Sequence, residues 1–195
     1  MTEFKIEDYD VTPERGFLTP YDMDEVTLPS AFAPIQQAGA ELPFFHLTDR
    51  IHHFLNDIPE IDMAAHIDEL SDAQLRLLMV HYSFIVQSYV WGDKETQQVL
   101  PKNLAVPYCI LADKIGQFPL LPYTGYTLDN WAKLDKSGDV CLDNLRVLQN
   151  FTAGMDENWF ILVHVEIEAK AGPALATIPV LLDAVDKEDL PYVRK

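Results

Sequence analysis

Cysteine is almost absent from this sequence, and the features that would place the protein outside the cytoplasm are missing. Only Cys109 and Cys141 occur among 195 residues. Two cysteines are too few for a disulfide framework, and they do not show zinc-ligand spacing. No hydrophobic run approaches the ~20 residues that a membrane-spanning helix needs. Residues 1–5 have neither a basic segment nor an apolar core, so no signal peptide is predicted. These absences predict a cytoplasmic protein under reducing conditions.

Basic residues are also scarce, and this scarcity excludes further classes of partner. The chain has 14 Lys and Arg against 31 Asp and Glu, a formal net charge of −17. Such a surface repels phosphate backbones and anionic lipid head groups, so nucleic-acid and membrane-surface roles are disfavoured. The glycine-rich dinucleotide motif, the P-loop, the zinc-protease motif and the nucleophile elbow are absent too. Nucleotide binding and serine-histidine-aspartate hydrolysis therefore have no positive support.

The residues that are present predict a predominantly α-helical protein. Hydrophobic residues make up 48% of the chain, enough for a packed core. The strongest helical pattern covers 72–90, where Ser71 and Gln74 predict a capping box at the start. Its apolar residues recur at spacings of three and four, which predicts burial of one face. They are Leu75, Leu78, Met79, Tyr82, Ile85, Val86 and Tyr89.

Further helices are predicted on both sides of this segment. Gly116 is predicted to end one of them, and Gly172-Pro173 to interrupt another. Residues 145–151 fit either a short strand or a helical turn, and the pattern leaves this open. The predicted helices cover about 31–38, about 45–56, Asn103 (as N-cap) to about Ile115, Asp156 (as N-cap) to about Ala171, and 174–186.

The chain is predicted to divide near residue 152. Residues 1–29 are acidic and turn-rich, with three prolines, and are predicted to form an extended arm on the body of the protein. A turn-rich section ends near residue 152, and a new apolar helix begins there. We therefore expect a small helical domain over 1–152 and the first helices of a larger domain over 153–195.

One histidine lies in the most apolar of the predicted helices. His164 is flanked by Val163 and Val165. An unpaired buried imidazole costs about 1–3 kcal/mol, so His164 needs a hydrogen-bond partner, a metal or a ligand. Glu168, one helical turn later, is within reach as a partner. Two interpretations stay open: a core histidine satisfied by protein groups, or a residue of a ligand pocket.

The segment 122–127 is the second candidate site. It holds two tyrosines and two threonines together with a proline and a glycine, Pro122-Tyr123-Thr124-Gly125-Tyr126-Thr127. Loops of this composition often line a pocket, but an aromatic-anchored turn explains the same residues.

The other five histidines do not predict a metal site. His46, His52 and His53 lack standard ligand spacing and are predicted to lie on helix surfaces. His66 lies beside Asp68 and Glu69 in a polar linker and is predicted to be solvated. His81 adjoins the apolar face of the helix over 72–90, where a core position is more common than a cavity.

Three segments carry a long signature in a fixed order. The first is Ser88 to Gly92 followed by Val99 to Cys109, which reads VLPKNLAVPYC. The second is Phe118 to Tyr123 with Leu128 to Trp131, and the third is Phe160 to Glu168 leading to Ile178-Pro179. Together they resemble the indoleamine 2,3-dioxygenase family of haem enzymes over roughly 85–195. The arm at Gly16-Phe17-Leu18 is similar to the start of that family.

The resemblance implies a fold and a site. In the family a small helical domain covers a larger one, and haem b lies between them. Tyr123, Tyr126 and Thr127 would line the small-domain side of the distal pocket and contact substrate. Phe160 would pack against an indole ring, and His164 would be the catalytic distal residue near dioxygen or the indole nitrogen. Tyr123 and His164 would also face the haem from its distal side. Some family members have a serine at the position that matches His164.

The resemblance also implies a reaction and a missing ligand. Both atoms of dioxygen would be inserted across the indole C2–C3 bond of L-tryptophan or a related indoleamine, giving N-formylkynurenine. Family members are roughly twice this length, and the proximal histidine that binds the iron would lie in the other half. No iron ligand is therefore expected in this chain. Two alternatives remain: a haem enzyme of the same fold acting on a modified tryptophan, and a non-catalytic helical interaction domain.

Overall fold

The computed structural model describes residues 4–48 and 50–188. It confirms a predominantly helical fold with one small sheet. The strands β1 (Trp131–Lys133) and β2 (Leu145–Val147) pair antiparallel. The α-helices of the described part are α1 (Ala33–His46), α2 (Ile51–Asn56), α3 (Met63–His66), α4 (Asp72–Trp91), α5 (Lys102–Lys114), α6 (Met155–Leu175) and α7 (Ile178–Asp186). Shorter turns are a π-helix (Thr124–Leu128) and 3₁₀ segments at Ile6–Tyr9, Met23–Glu25, Ser30–Phe32, Ile67–Glu69 and Leu142–Asn144.

Helix α4 lies at the centre of the larger hydrophobic core. Its capping box is confirmed, because the Ser71 hydroxyl accepts from the Gln74 N–H and the Gln74 side chain accepts from the Ser71 N–H. Eleven of its twenty residues are buried. Helices α1, α2 and α5 and the π-helix all pack on it. Because these elements cover α4 on several sides, the helix is apolar on more than one face.

A second, smaller core lies between the sheet, the arm and α6. It contains Trp131 from β1, Leu145 from β2, and Ile161 and Val165 from α6. Leu18, from the N-terminal arm, lies in the same core. Partly buried Tyr126 packs against both cores, so the π-helix joins them.

The first two helices have different bounds from those predicted. One helix, α1, covers residues 33–46 and passes through Pro43, where the sequence predicts separate helices at 31–38 and 45–56. Pro43 has no N–H to offer the carbonyl of Gly39, four residues earlier. That carbonyl instead accepts a hydrogen bond from Gln149 Nε2 at 2.7 Å. A side chain 110 residues away therefore satisfies the group that the proline leaves unpaired.

Helix α5 shows a second correction. It begins at Lys102 after Pro101, so the prediction of Asn103 as the N-cap is wrong. The Asn103 side chain instead donates to the carbonyls of Leu55 and Ile58, at 3.2 and 2.7 Å. Gly116, with φ +69°, follows the end of α5 as predicted.

Helix α6 corrects two further predictions. It begins at Met155 after Gly154, so Asp156 lies in its first turn and is not the cap. It also continues through Gly172 and Pro173 to Leu175. A Cβ atom on Gly172 would lie 2.3 Å from the carbonyl oxygen of Pro13, so the glycine permits close packing of the arm. Residues 145–151 combine β2 with irregular backbone.

The division of the chain near residue 152 stays a prediction. None of the helices in the described ranges is both long and apolar enough to span a membrane.

Candidate functional site

One face of α6 carries an aromatic residue, a histidine and a glutamate of the third signature segment. Phe160, His164 and Glu168 are four residues apart, and this spacing places them on the same side of the helix. The buried face of α6 is a different one, formed by Ile161, Val165, Ala169 and Gly172. Phe160 is 52% exposed, and His164 and Glu168 are half-buried. The candidate site is therefore an open surface of α6.

The π-helix brings the tyrosines to this surface. Tyr123 is its N-cap and Tyr126 lies within it. A π-turn closes between the Asp129 N–H and the Thr124 carbonyl at 2.9 Å. Single π-turns are rare and often occur at functional sites, because the extra residue redirects neighbouring side chains. Here the turn packs against α6.

Tyr123 and Glu168 form the polar part of the site. The Tyr123 hydroxyl donates to Glu168 Oε1 at 3.1 Å. Burial, together with the neighbouring carboxylate, raises the pKa of Tyr123 to about 12, because a tyrosinate there would face a negative charge. The Tyr123 ring also meets the His164 ring edge-on, with centroids 6.1 Å apart. Nothing in the sequence spacing predicts the pairing of Tyr123 with Glu168, since these two residues are 45 positions apart.

His164 does not have the partner predicted from sequence. Its Nδ1 lies 2.6 Å from the Phe160 carbonyl, while Glu168 is occupied by Tyr123. A carbonyl only accepts, so Nδ1 carries the proton in this arrangement and Nε2 is an acceptor in the neutral ring. The ring is half-buried and lies beside the rings of Tyr123 and Phe160. His164 is thus satisfied within its own helix and has one nitrogen left for a ligand.

Aromatic rings connect this surface to the core. Phe160 lies beside His164, with centroids 4.5 Å apart, and beside Tyr126 at 6.0 Å. Tyr126 in turn stacks on Phe84 of α4 at 5.6 Å. Burial raises the pKa of Tyr126. The chain of rings fixes the exposed Phe160 against a buried aromatic stack, which suits recognition of a flat aromatic ligand.

Thr127 lies on the inner side of the same turn. It is completely buried, and its hydroxyl has no hydrogen-bond partner among the described residues. The structure thus brings Tyr123, Tyr126, Phe160 and His164 together and places Thr127 behind them. Their assignment to a substrate and cofactor site stays a prediction.

The other histidines have protein partners. His46 bonds Ser88 Oγ at 2.8 Å and His52 bonds the Tyr89 carbonyl at 2.7 Å. The prediction that His66 is solvated is only partly correct, because its ring meets the Phe32 ring edge-on. His81 bonds Gln149, and burial lowers its pKa. No group of three metal-ligating side chains is found in residues 4–48 and 50–188.

Two depressions on the described surface lie away from the aromatic site. One of about 380 Å³ lies between the ends of α1 and α4. It is lined by His46, Leu47, Thr48, Gly92, Asp93 and Lys94. This open depression has no aromatic ring apart from His46, which is already bonded to Ser88, so it is less suited to an aromatic ligand than the surface of α6.

The sequence model of the family described as indoleamine 2,3-dioxygenase matches residues 5–195. The chain belongs to the indoleamine 2,3-dioxygenase family. The match covers the arm, both cores and the aromatic surface, so the resemblance seen in the three signature segments extends to nearly the whole chain. Indoleamine 2,3-dioxygenases are dioxygenases, a class of oxidoreductase, and this chain has the helical architecture expected for a member.

Individual relatives agree with the family assignment. Indoleamine 2,3-dioxygenase 1 of Mus musculus is 33% identical over 193 residues, which is 97% of this chain and 46% of the mouse protein. Indoleamine 2,3-dioxygenase 2 of Homo sapiens is 28% identical over 92% of the chain and 44% of its own length. The Saccharomyces cerevisiae protein is 29% identical over 87% and 38%. The chain spans less than half the length of these curated relatives.

Proposed function

We propose that this protein takes part in haem-dependent oxidative cleavage of the indole C2–C3 bond of L-tryptophan or a related indoleamine, with N-formylkynurenine as product. The chain supplies the distal side of the site. The observation that supports this most is the joint placement of Phe160, His164 and Tyr123 on one accessible surface of α6 and the π-helix.

These residues fit haem on its distal side only. The exposed faces of Phe160 and Tyr123 offer flat apolar area, and His164 Nε2 offers one acceptor. Haem iron takes one axial side chain from the protein, and we propose that this ligand comes from other residues of the protein, as the family resemblance implies. When bound, haem b supplies the activation of dioxygen.

The residues of this chain then bind and orient the substrate. Phe160 packs against the indole ring, and Tyr126 supports Phe160 from the core side. His164 Nε2 accepts a hydrogen bond from the indole N–H or orients dioxygen. Tyr123 holds Glu168 and closes the edge of the aromatic surface. The apolar rings exclude water from the reacting bond.

The proposal is tested by expressing the full reading frame of the gene and recording absorption spectra with and without L-tryptophan. A Soret band that shifts on addition of tryptophan, with aerobic formation of N-formylkynurenine, is expected. A Soret band without product from tryptophan would favour the alternative substrate, a modified tryptophan. Absence of haem would overturn both enzyme functions and leave the non-catalytic interaction domain.

Single substitutions test the proposed roles of Phe160 and His164. Phe160→Ala is expected to lower kcat/KM about tenfold or more, because the main apolar contact of the indole ring is lost. His164→Ala is expected to weaken tryptophan binding about 3- to 10-fold, the effect of one hydrogen bond. Phe44→Ala and His53→Ala are matched controls, since both side chains are exposed and lie on α1 and α2. Equal effects in site and control variants would remove these residues from the site.

The reaction is proposed to occur in the cytoplasm. Both cysteines are free, and Cys109 is exposed, which fits a reducing compartment.

A further inference from the structure

Gln149 occupies the centre of a buried polar network behind the site. Its Nε2 donates to the Gly39 carbonyl at 2.7 Å and to the Asn150 carbonyl at 3.2 Å, and its Oε1 accepts from His81 Nδ1 at 2.9 Å. Only 2% of Gln149 is exposed. The bonds connect Gln149 to α1 through Gly39 and to α4 through His81. Every polar atom of the Gln149 side chain is therefore held by one of the rigid core helices or by the next residue.

The position of Gln149 depends on two residues of α1. Pro43 leaves the Gly39 carbonyl free, as described above. A Cβ on residue 39 would lie 2.4 Å from Gln149 Oε1 and 2.9 Å from His81 Nδ1. Glycine at 39 and proline at 43 together create a place for one amide side chain, and Gln149 fills it.

Asn130 connects Gln149 to the π-helix. Its Oδ1 accepts from the Gln149 backbone N–H at 2.7 Å, and its Nδ2 donates to the Gln149 carbonyl at 2.9 Å. The same Nδ2 donates to the Tyr126 carbonyl at 3.2 Å. Asn130 is completely buried. The Tyr126 carbonyl is thus bound by a side chain that is itself bound to Gln149.

We propose that Asn130 and Gln149 are positioning residues that fix the π-helix, and with it Tyr123 and Tyr126, against α6. The role in substrate binding rests on the function proposed above. The series of bonds runs from α1 and α4 through Gln149 and Asn130 to the backbone of Tyr126. It transmits the rigidity of the larger core to a turn that carries the aromatic side of the site.

The chain provides a matched control for this role. Asn144 makes the same three kinds of bond, accepting from Asp135 N–H at 2.7 Å and donating to the carbonyls of Asp135 and Asp139 at 2.9 Å each. It orders a surface loop that contains none of the site residues. Asn144→Asp removes the same two donors as Asn130→Asp, so the pair separates local ordering of the site from loss of an asparagine in general.

The first test is hydrogen–deuterium exchange on the 195-residue chain. In Asn130→Asp, an acceptor oxygen replaces the Nδ2 donor and faces the carbonyls of Tyr126 and Gln149. Amides over 124–129 are expected to exchange at least tenfold faster, with α4 unchanged. Asn144→Asp is expected to affect only 135–139. Equal exchange of 124–129 in Asn130→Asp and the unchanged protein would overturn the proposal.

Gln149→Met is the second variant, used if Asn130→Asp does not fold. It keeps the length of the side chain and removes its hydrogen bonds to α1 and α4. The same acceleration over 124–129 is expected, and global acceleration that includes α4 would instead show that Gln149 acts on the whole core and overturn a positioning role.

The second test uses the haem-loaded product of the full reading frame. Asn130→Asp is expected to raise KM for L-tryptophan about tenfold while kcat changes less than about twofold. A purely structural role would lower the amount of active enzyme and leave KM unchanged, which would contradict the inference. If the protein binds no haem, the proposed function fails, and hydrogen exchange alone decides the positioning role.

Discussion

Helices α4 and α6 are nearly equal in length, 20 and 21 residues, and both are apolar, yet they are buried differently. Eleven residues of α4 are buried, against four residues of α6. Other elements surround α4, while α6 packs through one narrow stripe. Apolar composition therefore does not reveal which faces of a helix are covered. The candidate site lies on the faces of α6 that the described residues leave accessible.

The polar side chains of the two helices differ in the same way. On α4, Ser83 bonds the Tyr108 hydroxyl at 2.9 Å and His81 bonds Gln149, so distant segments satisfy them. On α6, His164 bonds its own helix and Lys170 pairs with Glu166 one turn away, while Glu168 and Glu166 also accept from Tyr123 and from the Leu142 N–H. The bonds of Ser83 and His81 on α4 are thus more buried than the bond of His164 on α6.

Three isoleucines provide the strongest test of this comparison. Ile85 on α4 and Ile161 on α6 are fully buried, and Ile167 on α6 is 56% exposed. Ile85→Ala and Ile161→Ala are each expected to lower the free energy of unfolding by about 2–5 kcal/mol. Ile167→Ala is expected to change it by less than about 0.5 kcal/mol. Urea unfolding measures all three, and an equal loss at Ile167 would show that α6 is covered on both faces.

The contact between the arm and α6 gives the next largest effect. Gly16 has φ +59°, and a Cβ there would lie 2.1 Å from the Glu168 carbonyl oxygen. Gly16→Ala is expected to cost about 2–4 kcal/mol, from left-handed strain and the clash together. Gly116→Ala is the control, because Gly116 has φ +69° with nothing within 4 Å. It isolates the backbone strain at about 1–2 kcal/mol, as measured by unfolding. Equal costs for the two variants would show that the arm does not contact α6 closely.

The pKa values of two carboxylates, Asp129 beside α4 and Glu166 on α6, are shifted in opposite directions. Burial raises the pKa of Asp129, which pairs with Arg76 of α4, from 3.8 to about 6. The folded protein then holds an extra proton on Asp129 between these values, so the contribution of Asp129 to stability falls as pH rises through about 4 to 6, by about 1–3 kcal/mol. Asp129→Asn is expected to remove this slope from unfolding measurements at pH 4–7. An unchanged slope would show that Asp129 does not titrate in this window.

The pKa of Glu166 on α6 is shifted in the opposite direction, below its ordinary value. Hydrogen bonds from Lys170 and the Leu142 N–H lower its pKa. Its contribution is present above the pKa of the unfolded chain and is lost as pH falls through the lowered value. Carboxyl NMR titration is expected to show the two opposite shifts, and a raised Glu166 pKa would contradict the exposed pairing on α6.

The smallest effect is expected at His164 itself. His164→Ala removes a half-buried ring bonded to its own helix, so the free energy of unfolding should change by less than about 0.5 kcal/mol. A loss of 2 kcal/mol or more would show a buried core histidine, the alternative that the sequence leaves open. Thermal unfolding of the variant beside His53→Ala measures the difference.

The sequence predicts elements whose signals are local. The spacing of apolar residues in α4, its capping box and the glycine after α5 each depend on neighbours within a few positions, and the structure confirms them. The tyrosines of 122–127 and the histidine of α6 also stand out locally, and the fold brings them to one surface. The caps of α5 and α6 are predicted wrongly, because Asn103 has better acceptors in the loop after α2, and Gly154 already starts α6.

By itself, the sequence determines the helical class and the family, and it predicts which residues form the candidate site. The tertiary structure alone decides which partner each polar side chain finds. Gln149 lies 110 positions from Gly39, and Tyr123 lies 45 from Glu168. Such pairs form only after the helices pack, because a buried polar atom takes whichever partner the assembled core places within reach. That packing encloses α4 and leaves one face of α6 accessible among the described residues.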